Sequence, residues 1–291
     1  MVLEASRAES ELAEAWGGRS LRVGIVNIMP RAETYEPYLL RPLDRALLPV
    51  DPIWIRLESH TYGSSDAAHI ERTYVAFDEA IRRAPLDGLI LTGAPVEELE
   101  FQDVHYWKEL CEILAFCRTH VAGVLGLCWG GLALAKQLGL DKENFGKKLF
   151  GVFPNNVLDP HHAVLGGSDD AFWCAHSRHS GIRASDLEFA RNAGRLRLLS
   201  YGTETGYTVF ESADRRFFAH LGHPEYEASR LVHEWERDEA LGRRDVDPPR
   251  NLDLARPVNV WRSHCNDLFA RWLRHVALGR GGGERSAGSP L

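Results

Sequence analysis

The sequence predicts an α/β protein of three layers, αβα, with a mostly parallel central sheet and antiparallel strands in the C-terminal half. Three observations predict it. The first half alternates short apolar runs with stretches of helical spacing. The second half alternates short apolar runs with turns. At their junction, an apolar run ends on a cysteine inside Gly126-Leu127-Cys128-Trp129-Gly130 and passes at once into a helical pattern.

Residues 1–20 read as a weak helix or a disordered arm. Residues 21–28 are a strand ended by Met29-Pro30, and residues 36–48 have helical spacing that stops near Pro49. Residues 52–57 form a second strand, 59–68 a loop of small and polar residues, and 75–83 a helix. The third strand, 86–92, is largely apolar and closes in Gly93-Ala94-Pro95. Residues 104–120 carry Trp107, Leu110, Cys111 and Leu114 at helical spacing. Residues 121–127 are a buried strand and 132–138 the helix after it. This β-α-β-α-β-α-β order predicts a parallel sheet with helices on both faces.

After residue 140, the segments 149–153, 163–165, 196–201, 207–211 and 217–221 read as mostly antiparallel strands of the same domain. Residues 225–241 form a helix with Ala228, Leu231, Val232 and Trp235 on one face and Gly242 as its stop. A loop rich in Pro and Arg spans 243–258, a closing helix 261–278, and a disordered Gly/Ser/Arg tail 279–291. The expected organisation is therefore an arm, 1–20, one domain, 21–278, and the tail.

The net charge of -7, without a concentrated Lys/Arg run, argues against nucleic acid as a partner. No stretch is apolar for long enough to span a membrane, and the acidic N-terminus is unlike a signal peptide. Five cysteines without a paired framework predict reduced thiols and a cytoplasmic enzyme. Cys111, Cys117, Cys174 and Cys265 read as small core residues.

Cys128 is different. Its setting is the thiol version of the G-x-S-x-G elbow, where glycines allow a sharp turn and the nucleophile stands beside a helix N-terminus. Free amides and the helix dipole there favour a thiolate and stabilise an oxyanion. A catalytic cysteine needs a base and the base an orienting group. His220-Leu221-Gly222-His223-Pro224-Glu225 supplies a candidate pair, because residues two apart in an extended segment point the same way. The bland reading is a turn histidine and a glutamate that favours a helix N-terminus. A metal reading of His220 and His223, with His161 and His162, lacks an identifiable third ligand, so no metal is expected.

Taken together, several stretches resemble the homoserine O-acyltransferase family of the homoserine transsuccinylase type. They are Val26-Asn27-Ile28-Met29-Pro30, LDGLILTGAP at 86–95, Glu100-Phe101 to Trp107, Cys128-Trp129, KLFGVF at 148–153, His176-Ser177-Arg178, GHPEY at 222–226 and WRSH at 261–264. They lie in the family's order between residues 22 and about 276.

The resemblance implies a flavodoxin-like, class I glutamine-amidotransferase-like fold. It also implies roles: Cys128 as the acylated nucleophile, His223 as general base and Glu225 as its partner. Lys148, Ser177 and Arg237 match substrate-binding residues, Arg237 being the one that holds the amino acid's carboxylate. Without the resemblance these three read as a solvated lysine, a turn serine and an exposed helix arginine. Glu97 falls where the family carries glycine with succinyl-CoA and glutamate with acetyl-CoA. A carboxylate there fills the space, and repels the charge, of a succinyl tail.

The implied function is homoserine O-acetylation in methionine biosynthesis, by a ping-pong route through acyl-Cys128. The oxyanion is expected on the backbone amides of Trp129, Gly93 and Ala94. Acetyl-CoA is a substrate and no cofactor is expected; the expected assembly is a homodimer.

Three departures from the family pattern bear on the acceptor. The stretch after Met29-Pro30 reads as shortened, with only Arg31 to stand in for a usual basic residue. Gly130-Gly131 replaces bulkier residues, and the aromatic loop before WRSH is reduced. They leave succinyl transfer, or serine as acceptor, as alternatives, since one methylene is worth only ~1–3 kcal/mol of discrimination. A glutaminase, or a non-catalytic sensor on the same scaffold, are the competing readings.

Overall fold

In the computed structural model, which describes residues 19–284 and their side chains through residue 279, the first strand is β1, Leu21–Val26. It is buried almost throughout, as a strand covered by helices on both faces must be. On one side β1 pairs in parallel with β2 (Val50–Arg56), and β2 with β3 (Val75–Ala76). On the other it pairs in parallel with β4 (Gly88–Leu91), β4 with β5 (Gly123–Leu127), and β5 with β10 (Phe217–His220). The antiparallel half continues through β9 (Gly206–Ser212), β8 (Leu196–Gly202), β6 (Glu143–Val157) and β7 (Ala171–Gly181). Among the described residues this is one ten-stranded sheet, ordered β3-β2-β1-β4-β5-β10-β9-β8-β6-β7.

The helices are α1 (Ala32–Asp44), α2 (Ala67–Thr73), α3 (Phe77–Arg83), α4 (Trp107–His120), α5 (Trp129–Gln137), α6 (Ala184–Asn192), α7 (Ala228–Ala240) and α8 (Arg262–Glu284). Strand alternation divides the core in two. Ile25 and Leu125 pack on one face with Leu39 of α1 and Phe269 and Trp272 of α8. Val26 and Val124 pack on the other with Leu110 of α4 and Leu132 of α5. No helix among the described residues is long and apolar enough to cross a membrane.

The structure corrects several expected elements. Residues 163–165 are a turn, because the amides of Val164 and Leu165 are both taken by His162 Nδ1 instead of a ladder. β7 was not expected. Its run His176-Ser177-Arg178-His179 reads as polar, yet all four are buried, and Arg178 spends its guanidinium on the carbonyls of Ser180 and Thr205. β10 lies parallel to β5 and antiparallel only to β9. Helix α2 begins inside the expected loop 59–68, capped by Asp66, which accepts from the Ala68 and His69 amides. Helix α7 starts at Ala228 and leaves Glu225 in the turn before it, whereas α5 starts three residues early, directly after Cys128. The closing helix runs past residue 278 to Glu284. The rest of the expected tail, 285–291, and arm residues 1–18 lie outside the described residues.

Candidate active site

Strand order reverses between β1 and β4, and such a switch leaves a crevice at the carboxyl ends of a parallel sheet. The loops after β1, β4, β5 and β10 meet there. Cys128 follows β5 with φ 49° and ψ -112°, a strained conformation for a side chain that cannot relax as glycine does. Its amide donates to the His220 carbonyl at 2.8 Å, which ties the elbow to the end of β10. The glycines beside it answer a packing demand. A Cβ on Gly126 would lie 2.6 Å from the Gly130 carbonyl oxygen, and one on Gly130 would lie 2.4 Å from that of Leu91. Trp129 opens α5, so its amide belongs to the helix turn that has no internal acceptor.

His223 is held from three sides. Its amide donates to Ala175 O at 2.8 Å, its ring stacks on Tyr226 with centroids 3.9 Å apart, and Nδ1 lies 2.7 Å from Glu225 Oε1. Tyr35, from α1, donates its hydroxyl to the same oxygen. Burial alone would lower the imidazole's pKa. The negative charge of Cys128 and then of Glu225, with hydrogen bonds to both, raises it well above the ordinary 6.5. Burial, then Glu225, drives the Tyr35 phenol up, so Tyr35 stays a donor. Gly93 fits between the groups: a Cβ there would sit 3.2 Å from His223 Cε1 and 3.5 Å from Cys128 Cβ.

Cys128 and His223 open into a cleft of about 230 Å³ that Ala94, Glu97, Lys148, Ser177 and Arg237 also line. Lys148 is not solvated: its side chain is only 3% exposed, and Nζ bonds Asp238 Oδ2 at 2.8 Å. Ser177 lies in β7 and donates to Glu234 Oε2 at 2.5 Å. Glu234 also accepts from Tyr226 OH and Arg230 Nε, each at 3.0 Å. Burial raises the Glu234 pKa, but Lys148, Arg230 and the Ser177 hydrogen bond outweigh it and hold the carboxyl at about 2. Arg237, half exposed at the rim, bonds Asp238 Oδ1 through both Nε and Nη2.

At the mouth, His179 bridges two acids, Glu97 at 3.4 Å and Asp245 at 3.1 Å. Glu98, His179 and Asp245 bring potential metal-ligand atoms within 4.8 Å of one another, but Arg243 bonds all three. The His220 and His223 rings are turned to separate tasks, since His220 Nδ1 accepts from the Gly222 amide. Burial, then His264, pushes His220 down to about 3.

The residues given a catalytic, binding or oxyanion role from the sequence fall in or directly behind one cleft: Cys128, His223, Lys148, Ser177, Arg237, Glu97 and Ala94 line it, and Glu225, Gly93 and Trp129 stand behind the lining. Of the departures from the family pattern, neither Arg31 nor Gly130-Gly131 lines the cleft: Arg31 sits exposed at φ 50° where α1 begins, and both glycines pack behind the elbow. Sequence reading missed Tyr35, Arg230, Glu234 and Asp238. The signal was available for three of them: Arg230, Glu234 and Asp238 share helix spacing with Leu231 and Tyr226, but charged residues at such positions read as solvated.

A model of the Homoserine O-succinyltransferase family matches residues 3–279. The chain is 37% identical over 263 residues to a homoserine O-acetyltransferase of Bacillus licheniformis, covering 88% of this chain and 85% of that one. It is 36% identical over 281 residues to a homoserine O-acetyltransferase of Bacteroides thetaiotaomicron, covering 94% and 88%. Among solved structures, a glutamine amidotransferase from Thermotoga maritima aligns with a TM-score of 0.53 at 13% identity, over 90% of this chain and 98% of that one. One from Methylobacillus flagellatus aligns with a TM-score of 0.51 at 15% identity, over 90% and 94%. At such identities these two speak to the fold alone. The sequence match over nearly the whole chain and the shared scaffold lead to one conclusion: the chain belongs to the homoserine O-succinyltransferase family of acyltransferases, on a class I glutamine-amidotransferase-like fold.

Proposed function

We propose that the protein transfers an acetyl group from acetyl-CoA to the hydroxyl of L-homoserine through a thioester on Cys128. The observation that carries this reading is the strained Cys128 elbow facing a His223–Glu225 pair inside a cleft lined by both cations and anions. Cys128 sulfur attacks the donor carbonyl, and the oxyanion is met by the Trp129 amide and the backbone at Gly93 and Ala94. The carbon–sulfur bond to CoA breaks, and CoA leaves with a proton from His223. The acceptor hydroxyl then enters, and the imidazole nitrogen not bonded to Glu225 takes its proton as oxygen attacks the thioester. Cys128 is released and the ester leaves.

The acceptor's two charges suit the far wall. Lys148 and the arginines offer cations to an α-carboxylate, and Glu234 and Asp238 offer anions to the ammonium. Glu97 supports acetyl as the acyl group, being held at the mouth by His179, and the curated relatives are named for acetyl transfer. The ester formed, O-acetylhomoserine, is a substrate for sulfur incorporation on the way to methionine.

A panel of acetyl-CoA and succinyl-CoA against homoserine and serine, with products identified by mass, tests this reading. O-acetylhomoserine should dominate. A dominant O-succinylhomoserine or O-acetylserine would replace the donor or the acceptor, and glutamine hydrolysis without CoA dependence would replace the reaction.

A further inference from the structure

Glu225 uses one oxygen twice. Oε1 faces His223 Nδ1 at 2.7 Å and takes the Tyr35 hydroxyl, whereas Oε2 is buried with no hydrogen-bond partner among the described residues. A buried carboxylate oxygen without a donor is costly, and such atoms are almost always satisfied by protein or by ordered water. An uncommitted donor lies in the same layer. His220 ends β10 on the strand face of Phe218, which packs in one core with Tyr35 and Tyr226. The residue is fully buried, and its Nδ1 accepts from the Gly222 amide at 3.1 Å, so the ring proton sits on Nε2. That nitrogen is buried too, and it has no acceptor among the described residues. Burial, then His264, pushes the ring down to about 3, so it stays neutral, although the charge of Glu225 acts on it the other way.

His264, the last residue of the WRSH stretch, completes the group. Its ring stacks on Phe172 at 3.8 Å, and its Nε2 is also buried without a partner among the described residues. Burial pushes it down to about 3, so it is neutral as well. Its ring centre lies 6.0 Å from that of His220, a gap that one oxygen spans with two hydrogen bonds of about 2.8–3.0 Å. One donor and two acceptors are the partners that a buried water takes. We infer that His220 is a positioning residue for the acyl transfer, donating through one buried water to Glu225 Oε2, with His264 holding the water from α8. His220 then serves both halves of the catalytic pair. Its carbonyl holds the Cys128 amide, and its side chain backs the carboxylate that aims His223. The role rests on the acyl-transfer reading above; the water does not.

The groups around this charge leave the test clean. Tyr35 of α1, Tyr226, Cys174 of β7 and Cys265 of α8 are kept protonated by burial first, with Glu225 adding to it. His176 of β7 is kept neutral by burial and then Arg178, and Glu234 of α7, at about 2, stays charged. A crystal structure of the wild type at atomic resolution should show one ordered water within about 3.2 Å of both His220 Nε2 and Glu225 Oε2. This measurement needs no variant, so it decides even where a variant does not fold. In solution, nitrogen shifts of His223 are followed across pH 5–9 beside steady-state kinetics. His220→Phe keeps a ring and removes the donor: the His223 titration should move down by about one pH unit, and kcat should fall about tenfold with little change in either KM. His220→Gln keeps an N–H to donate and a carbonyl oxygen to accept, and should restore most of both. A dry gap between Glu225 Oε2 and His220, or a His223 titration unmoved in His220→Phe, would overturn the inference. So would equal impairment of the two variants, as a merely structural role requires. Mass analysis of Cys128 after acetyl-CoA reports separately on the acyl-transfer reading: the water and the His223 shift without any acetyl-Cys128 would keep His220 as the partner of Glu225 and remove that reading.

Discussion

Tyr35 donates its hydroxyl to Glu225 Oε1, the same oxygen that faces His223 Nδ1, while Oε2 is buried with no hydrogen-bond partner among the described residues. The two residues come from segments 190 positions apart, and the contact locks α1 onto the turn after β10. A hydrogen bond to a charged group contributes about 1.5–3 kcal/mol. Tyr35→Phe should therefore lower the thermal transition by a few degrees and, with Glu225 less firmly aimed, lower kcat about tenfold. Steady-state kinetics beside a melting curve checks this; an unchanged kcat would reduce Tyr35 to packing.

The elbow glycines predict a sharp contrast in stability. In Gly130→Ala the new methyl meets the Leu91 and Thr92 carbonyl oxygens at 2.4 and 2.8 Å, and backbone cannot swing aside as a side chain can. The cost should be about 1–3 kcal/mol or more. Gly146→Ala, with nothing within 4 Å, should change stability by less than ~0.5 kcal/mol. Urea midpoints of the two variants decide, and equal midpoints would contradict the crowding argument.

The raised pKa of His223 has a direction that can be tested. Anions at Cys128 and Glu225 hold the proton on, so the imidazole should stay protonated above pH 6.5 in the resting enzyme. Removing one anion in Glu225→Gln should move the titration to lower pH. Nitrogen chemical shifts of His223 across pH 5–9, measured in both proteins, follow it; no downward movement would mean that Glu225 is not a partner of the charged ring.

Glu97 makes a prediction about the donor. Its carboxylate borders the cleft and is held by His179. Glu97→Gly removes both the volume and the charge, and succinyl-CoA turnover should rise relative to acetyl-CoA turnover. Competition between the two donors in one reaction gives the ratio. An unchanged ratio would place donor selection elsewhere in the cleft.

The parallel half was legible because its strands are buried on both faces and read as apolar runs, and because glycines mark the elbow between β5 and α5. The antiparallel half was harder. β7 buries His176, Arg178 and His179, so its pattern resembles a loop, and residues 163–165 are apolar without being a strand. In the site, Cys128, His223 and Glu225 follow from local spacing. Lys148, Ser177 and Arg237 came only through family resemblance, since nothing local shows that a lysine will be buried against an aspartate ninety residues away. Tyr35 and Arg230 became visible only once α1 and α7 were docked beside the β10 turn. The Gly130-Gly131 pair, read from sequence as a departure from the family pattern that bears on the acceptor, packs behind the elbow.

The central claim is a covalent thioester on Cys128. Intact-mass and peptide analysis after brief exposure to acetyl-CoA without acceptor should find one acetyl group, on the peptide that contains Cys128. Cys128→Ala should gain none, and homoserine should discharge the label as its ester. A wild-type protein that forms O-acetylhomoserine while Cys128 never carries acetyl, or a Cys128→Ala variant that turns over normally, would contradict it.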